Sequence, residues 1–236
     1  MRILLNYANG KFLESQFKNS QSGLAAGFNV VYQMGAADIE SNFSVVHSDI
    51  LSQKRGAGYW LWKPYFIKRI LNTLSETDIL FYADSGSIFI KRMEPIFDAV
   101  KSDPRGIIAF KLAGGHIEKE YTKRDLLKYM DMTDSKYSDT PQRMASFMCF
   151  RGTDDAKRIV SEYLETATNP HFVTDTPNKD GWQEPKFKGH RHDQSIWSLL
   201  TKKHNITILP DPTQWGIQHG ENGENDQYLL HTRDPR

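Results

Sequence analysis

The chain holds a single cysteine, Cys149, so an intramolecular disulfide is excluded. That cysteine lies in the apolar run Phe147-Met148-Cys149-Phe150 and reads as a small buried hydrophobe rather than a catalytic thiol. No apolar run approaches membrane-spanning length, which predicts a protein with no membrane span. The apolar start, Ile3-Leu4-Leu5, is too short for a signal peptide, so a reducing, cytoplasmic setting is expected. Charge of one sign is also lacking. Thirty basic residues face 29 acidic ones, for a net charge of +1. Bulk electrostatic capture is therefore not expected, and nucleic acid is not among the predicted partners.

Several catalytic signatures are missing too. There is no P-loop pattern and no G-x-S-x-G elbow. Gly56-Ala57-Gly58 lacks the third glycine and the preceding strand of a dinucleotide fingerprint. His190 and His192 lack zinc-like spacing to other ligands.

What is present is alternation of strand-like and helix-like segments. With 236 residues the chain can bury a substantial core, and without linkers or repeats it reads as one domain, 1–236. Strands are predicted over 2–7, 29–33, 79–83, 106–110, 145–150 and 206–209. Helices are predicted over 12–26, from Pro64 onward, over 93–101 and 124–130, after the cap Thr153, and over 192–200. Residues 168–189 are long, polar and broken by Pro170, Pro177, Gly181, Pro185 and Gly189, a composition expected of a lid. The order predicts an α/β fold with a mostly parallel central sheet flanked by helices. In such sheets ligands bind beyond the carboxyl ends of the strands.

Four stretches carry candidate chemistry. In "FYADSGSIF" an apolar run stops at Asp84, and Ser85 and Gly86 follow with almost no bulk. Asp84 suits Mg²⁺ or Mn²⁺, hard cations that take a carboxylate plus phosphate oxygens. A plain D-S-G turn is the bland alternative. Asp78 begins the same strand and lies about 20 Å away at about 3.3 Å per residue, so it cannot share the task. In "KRGAGYWLWKPY", Arg55 and Lys63 flank glycines and large aromatics near a helix start, where they can hold a diphosphate; otherwise the charges are solvated and the rings are core. In "GHRHDQSIW", Asp193 is either a helix N-cap or a general base at a cleft. In "QYLLHTR", an apolar trio delivers His231, with Arg233 two residues on and His219 a competing candidate.

Together with "LLNYANG", these stretches resemble a family of GT-A-fold glycosyltransferases of bacterial surface-polysaccharide loci and large algal viruses. Size and motif order are similar to the chlorovirus members that act in capsid glycan synthesis. The resemblance spans most of the chain, and "RGAGYWLWKPY" is its most specific string. It implies a nucleotide-diphosphate-sugar donor (a UDP- or GDP-sugar), Mn²⁺ or Mg²⁺, and a glycan acceptor. Tyr7 and Ala8 would face the nucleotide base, with Arg55 and Lys63 near the diphosphate. Asp84 would fall at the D-x-D position, where Gly86 replaces the second acid; either Asp84 serves the metal, helped by a C-terminal histidine such as His231, or metal dependence is slight. Asp193 would be the base of an inverting transfer. Trp182, in the predicted lid, would stack on a sugar or pack down on the protein. The competing readings are a sugar-nucleotide hydrolase or nucleotidyltransferase on a similar sheet, and a non-catalytic carbohydrate-binding protein.

Overall fold

A computed structural model of the chain describes residues 1–232. The runs of apolar residues become β1 (Arg2–Tyr7), β2 (Val30–Met34), β3 (Ile79–Ala83), β4 (Ser87–Phe89), β5 (Ile107–Lys111), β6 (Arg143–Arg151), β7 (Thr207–Leu209) and β8 (Leu229–His231). The main helices are α1 (Leu13–Ala25), α2 (Trp62–Leu71), α3 (Glu94–Ser102), α4 (Asp154–Ala167) and α5 (His192–Lys203). Thr153 caps α4 as expected, its hydroxyl accepting the Ala156 amide at 3.2 Å.

A six-stranded sheet runs in the order β2-β1-β3-β6-β5-β7. The pairs β1–β2, β1–β3 and β5–β7 are parallel, while β6 runs antiparallel to both β3 and β5. β4 and β8 form a separate antiparallel pair.

Side chains alternate across the sheet and feed two cores. Ile3, Leu5, Leu80, Tyr82, Met148 and Phe150 face α2, α4 and α5. Leu4, Ile79, Phe81, Ala83, Phe147 and Cys149 face α3 and the Phe28–Phe89 cluster. Because both faces are covered, β1 and β3 read as continuous apolar runs rather than alternating ones.

This arrangement sets one edge of the sheet as the site. The carboxyl ends of β1, β3 and β5 open onto it. The antiparallel β6 brings its amino end there instead. Ala83 pairs with Phe147, and the Asp84 amide donates to the Ser146 carbonyl at 2.9 Å. Met144, Ala145 and Ser146 therefore join the same edge.

Candidate active site

The edge holds a cavity of about 1190 Å³. That volume exceeds the roughly 300–1,000 Å³ of a typical small-ligand pocket and has room for two substrates. Nine residues singled out from the sequence line it: Tyr7, Ala8, Arg55, Lys63, Asp84, Ser85, Gly86, Asp193 and His231. His219 lines it as well.

The turn after β3 is fixed from below. Ser85 Oγ donates to the Tyr7 carbonyl at 2.5 Å, and Ser87 Oγ donates to the Asp84 carbonyl at 2.7 Å. Buried Asn19 donates to the Ser87 carbonyl at 2.9 Å and accepts from Asn6 at 2.8 Å. Ser85 thus spends its hydroxyl on positioning the turn. Gly86 has ordinary backbone geometry and nothing within 4 Å of where a Cβ would sit, so the space beside Asp84 is real.

Lys63 is buried in the cavity wall beside Asp84 rather than solvated. α2 starts at Trp62, so Lys63 is its second residue and Pro64 its third. Proline fits there because first-turn amides have no intrahelical partner. Its side chain, 3% exposed, points inward. Nζ lies 2.7 Å from Asp193 Oδ2, 3.7 Å from Asp84 Oδ1, and donates to the Ala145 carbonyl at 3.1 Å. Tyr82 donates to Asp84 Oδ1 at 2.6 Å, and Tyr163 donates to Asp193 Oδ2 at 3.2 Å. Burial alone would lower the Lys63 ammonium, but the Asp193 and Asp84 carboxylates outweigh it and hold it above its ordinary range. One buried cation therefore ties together the two carboxylates.

Asp193 is not the cap of α5, which begins at His192 after Arg191. It is buried in the first turn. Tyr82 could have been found from strand periodicity, since it precedes Asp84 by two residues and shares its face. Tyr163 carries no such signal.

The glycine-aromatic string forms a left-handed turn. Gly56, Ala57, Gly58, Tyr59 and Trp60 have φ of 56, 52, 96, 50 and 60°. Each non-glycine there costs about 1–2 kcal/mol. Hydrogen bonds offset this: the Gly58 amide donates to Gln53 at 2.8 Å, and the Trp62 indole donates to Gly56 at 3.0 Å. Trp62 also stacks on Tyr7 with centroids 3.8 Å apart.

The turn aims Arg55, Tyr59 and Trp60 at His192. Arg55 Nε donates to His192 Nε2 at 3.0 Å, Trp60 stacks on the ring at 5.4 Å, and His192 Nδ1 donates to the Val173 carbonyl at 2.8 Å. Arg55 also lies 3.5 Å from Asp175. Burial, with weaker contributions from Arg55 and Lys123, holds the His192 imidazole below its ordinary 6.5. His190 is lower still, chiefly through burial, with its Nε2 donating to the Phe172 carbonyl at 2.7 Å.

Residues 168–189 are strapped to the protein and lie outside the cavity lining, meeting its wall where Asp175 reaches Arg55 at 3.5 Å. Lys123 holds the carbonyls of His171 and Thr176, and Asp125 accepts from His171 Nε2 at 2.6 Å and the Lys179 amide at 2.7 Å. Trp182 packs under the Arg124 guanidinium, 4.2 Å from its ring centre, rather than in the cavity. Cys149 is fully buried, and burial pushes its thiol far up.

His231 pairs with Ser87 across β4–β8, and the Thr232 amide donates to the Gly86 carbonyl at 2.9 Å. This sets His231 beside the Asp84 turn. His219 sits elsewhere, against Gly114 and near His116. Arg233 lies outside the described residues. Among the described residues no group of three or more His, Cys, Asp or Glu side chains could cage a metal. A hard cation that keeps several waters needs only one or two protein ligands plus substrate phosphates, and Asp84 and His231 are the residues at this turn that could serve it.

No family model and no curated protein matches the sequence. Solved structures do. The WbbM bifunctional glycosyltransferase matches at TM-score 0.56 and 10% identity, over 98% of this chain and 45% of that one. This chain thus spans less than half of WbbM. An active-site mutant of LgtC matches at TM-score 0.51 and 13% identity, over 100% and 88%. A glycosyltransferase involved in glycosylation of the major capsid of PBCV-1 matches at 0.49 and 11%, over 99% and 94%. WbbM and LgtC show that the chain has the GT-A glycosyltransferase fold.

Proposed function

We propose that the protein is a glycosyltransferase that moves a sugar from a UDP- or GDP-sugar to a glycan acceptor. The observation that carries this reading is the pair Asp84 and Asp193, arriving from a strand end and a helix start, held by one buried ammonium in the floor of a two-substrate cavity. A hydrolase needs only one substrate space.

The nucleotide lies at the Tyr7–Ala8 end, beyond the carboxyl end of β1. Gly86 leaves room for the diphosphate and sugar. Asp84 and His231 would hold Mn²⁺ or Mg²⁺, which supplies charge to stabilise the departing diphosphate. Arg55 lines the same cavity and would add a positive charge toward the diphosphate. Lys63 holds Asp84 and Asp193 in place. Asp193, with Oδ2 engaged by Lys63 and Tyr163, takes the proton of the attacking hydroxyl on its other oxygen. Direct attack with Asp193 as base inverts the anomeric configuration.

The test is transfer from a panel of UDP- and GDP-sugars, with product anomers read by NMR. Asp84→Asn and Asp193→Asn each lower transfer by about 10²-fold or more, the scale of one lost electrostatic or base contribution. Full activity in both variants sinks the assigned roles. Turnover to free sugar with no glycan product favours the hydrolase.

A further inference from the structure

The cavity extends past Asp84 to an end that the transfer chemistry leaves unused. His116, Arg191, Trp215 and His219 form its wall. The Arg191 guanidinium lies 3.9 Å over the Tyr121 ring, which fixes its plane. Its Nη2 is 3.3 Å from His116 Nδ1, and its Nη1 donates to Gln142 Oε1 at 3.4 Å, both long contacts. His116 and His219 share the space over Gly114, where an added Cβ would meet their Nε2 atoms at 3.5 and 3.3 Å.

No carboxylate forms a direct ion pair with this arginine among the described residues, although the Glu118 charge reaches it through space. Glu118 is taken by Lys202 at 2.6 Å, and Glu120 by Lys188 at 2.7 Å. The Asp211 carboxylate is tied to Thr213 at 2.7 Å and to the Ala113 amide at 3.4 Å. A partly buried guanidinium with no carboxylate in direct contact is under-satisfied, and its fork matches carboxylate or phosphate oxygens two at a time.

We propose that this end is an acceptor subsite for an anionic group, the carboxylate of a uronic acid or the phosphate of a phosphosugar, read by Arg191 with His116 and His219. This rests on the transferase reading, with the nucleotide at the Tyr7 end. Burial, then Arg191, Lys188 and His219, hold the His116 imidazole below its ordinary 6.5, and Glu120 alone pulls the other way. An arriving anion reverses that balance, so its binding takes up a proton and strengthens as pH falls from 7 toward 6.

The experiment uses the full chain with a competent donor and three matched acceptors: a hexoside, its uronic acid and its 6-phosphate. The KM is expected at least tenfold lower for one charged acceptor, and which one distinguishes carboxylate from phosphate. Arg191→Gln narrows that gap, and Arg191→Lys, which keeps charge but loses the fork, gives an intermediate gap. Binding of the charged sugar by calorimetry in the presence of nucleoside diphosphate takes up protons, which a purely structural arginine would not cause. Equal KM values in the wild type, or a gap unchanged in both variants, overturn the subsite. Nucleotide-sugar binding is measured separately. Its absence overturns the transferase reading itself, whereas binding and transfer without charge preference overturn only this inference.

Discussion

Replacing Lys63 by methionine isolates the central ammonium, since methionine keeps most of the stem and removes the charge. The side chain is 3% exposed and Asp193 6%, so solvent cannot substitute for the lost ion. Removing one partner of a buried ion pair costs about 3–5 kcal/mol, because the other charge stays buried and unpaired. For a chain of this length that corresponds to a Tm drop of roughly 6–20 °C. The pH dependence has a definite sign. Burial already pushes the Asp193 carboxyl above its ordinary 3.8, against the pull of Lys63. Without Lys63 its folded pKa rises further above the unfolded value. The variant therefore keeps its stability at low pH and loses it as pH rises through that folded pKa. Thermal melts of wild type, K63M, D193N and K63M/D193N between pH 4 and 8 are the assay. The double variant is expected to be more stable than K63M at neutral pH, because no charge remains buried. A K63M loss below about 1 kcal/mol, or additive single losses, would refute a coupled buried pair.

Gly86→Asp restores a second acid in space that is empty within 4 Å and at a φ any residue adopts. It is expected to bind Mn²⁺ more tightly by calorimetry with little change in Tm; unchanged affinity argues against a metal at Asp84. His190 and His192 are both held below 6.5, mainly by burial. Their stabilisation is present above 6.5 and lost as pH falls through their folded pKa values, so proteolysis of the 168–189 strap is expected to quicken between pH 6.5 and 5. A flat profile contradicts neutral histidines bonded to Phe172 and Val173. Gly58→Ala places a Cβ 2.7 Å from the Leu51 backbone at φ +96°, and a loss of at least about 2 kcal/mol is expected in denaturant titration. A neutral outcome would mean the left-handed turn relaxes freely.

β1 and β3 were legible because sheet strands covered on both faces leave continuous apolar runs, and those runs end where the strands end. Asp84 was visible for the same reason, as the first polar residue after β3. Other features had no local signature. The run Arg143–Arg151 reads alike in either direction, so the antiparallel course of β6, which adds Met144–Ser146 to the site, depends on topology. β4 and β8 are three residues each and lie far apart in sequence, yet their pairing sets His231 opposite Ser87, beside the Asp84 turn. A lysine beside a proline suggests a solvated helix start. Lys63 turns inward because two carboxylates from distant segments await it. Glycines marked the 56–60 turn, but not that Ala57, Tyr59 and Trp60 would follow them into left-handed geometry.

The central claim is that Asp84 and Asp193 flank a sugar undergoing transfer, and its most direct test is a crystal structure with Mn²⁺ and a bound nucleotide sugar. The account predicts the base at Tyr7 and Ala8, the diphosphate and cation at Asp84 and His231, and the anomeric carbon between Asp84 and the acceptor end, with Asp193 the nearest carboxylate. A nucleotide bound outside this cavity, or a diphosphate remote from Asp84, would contradict it.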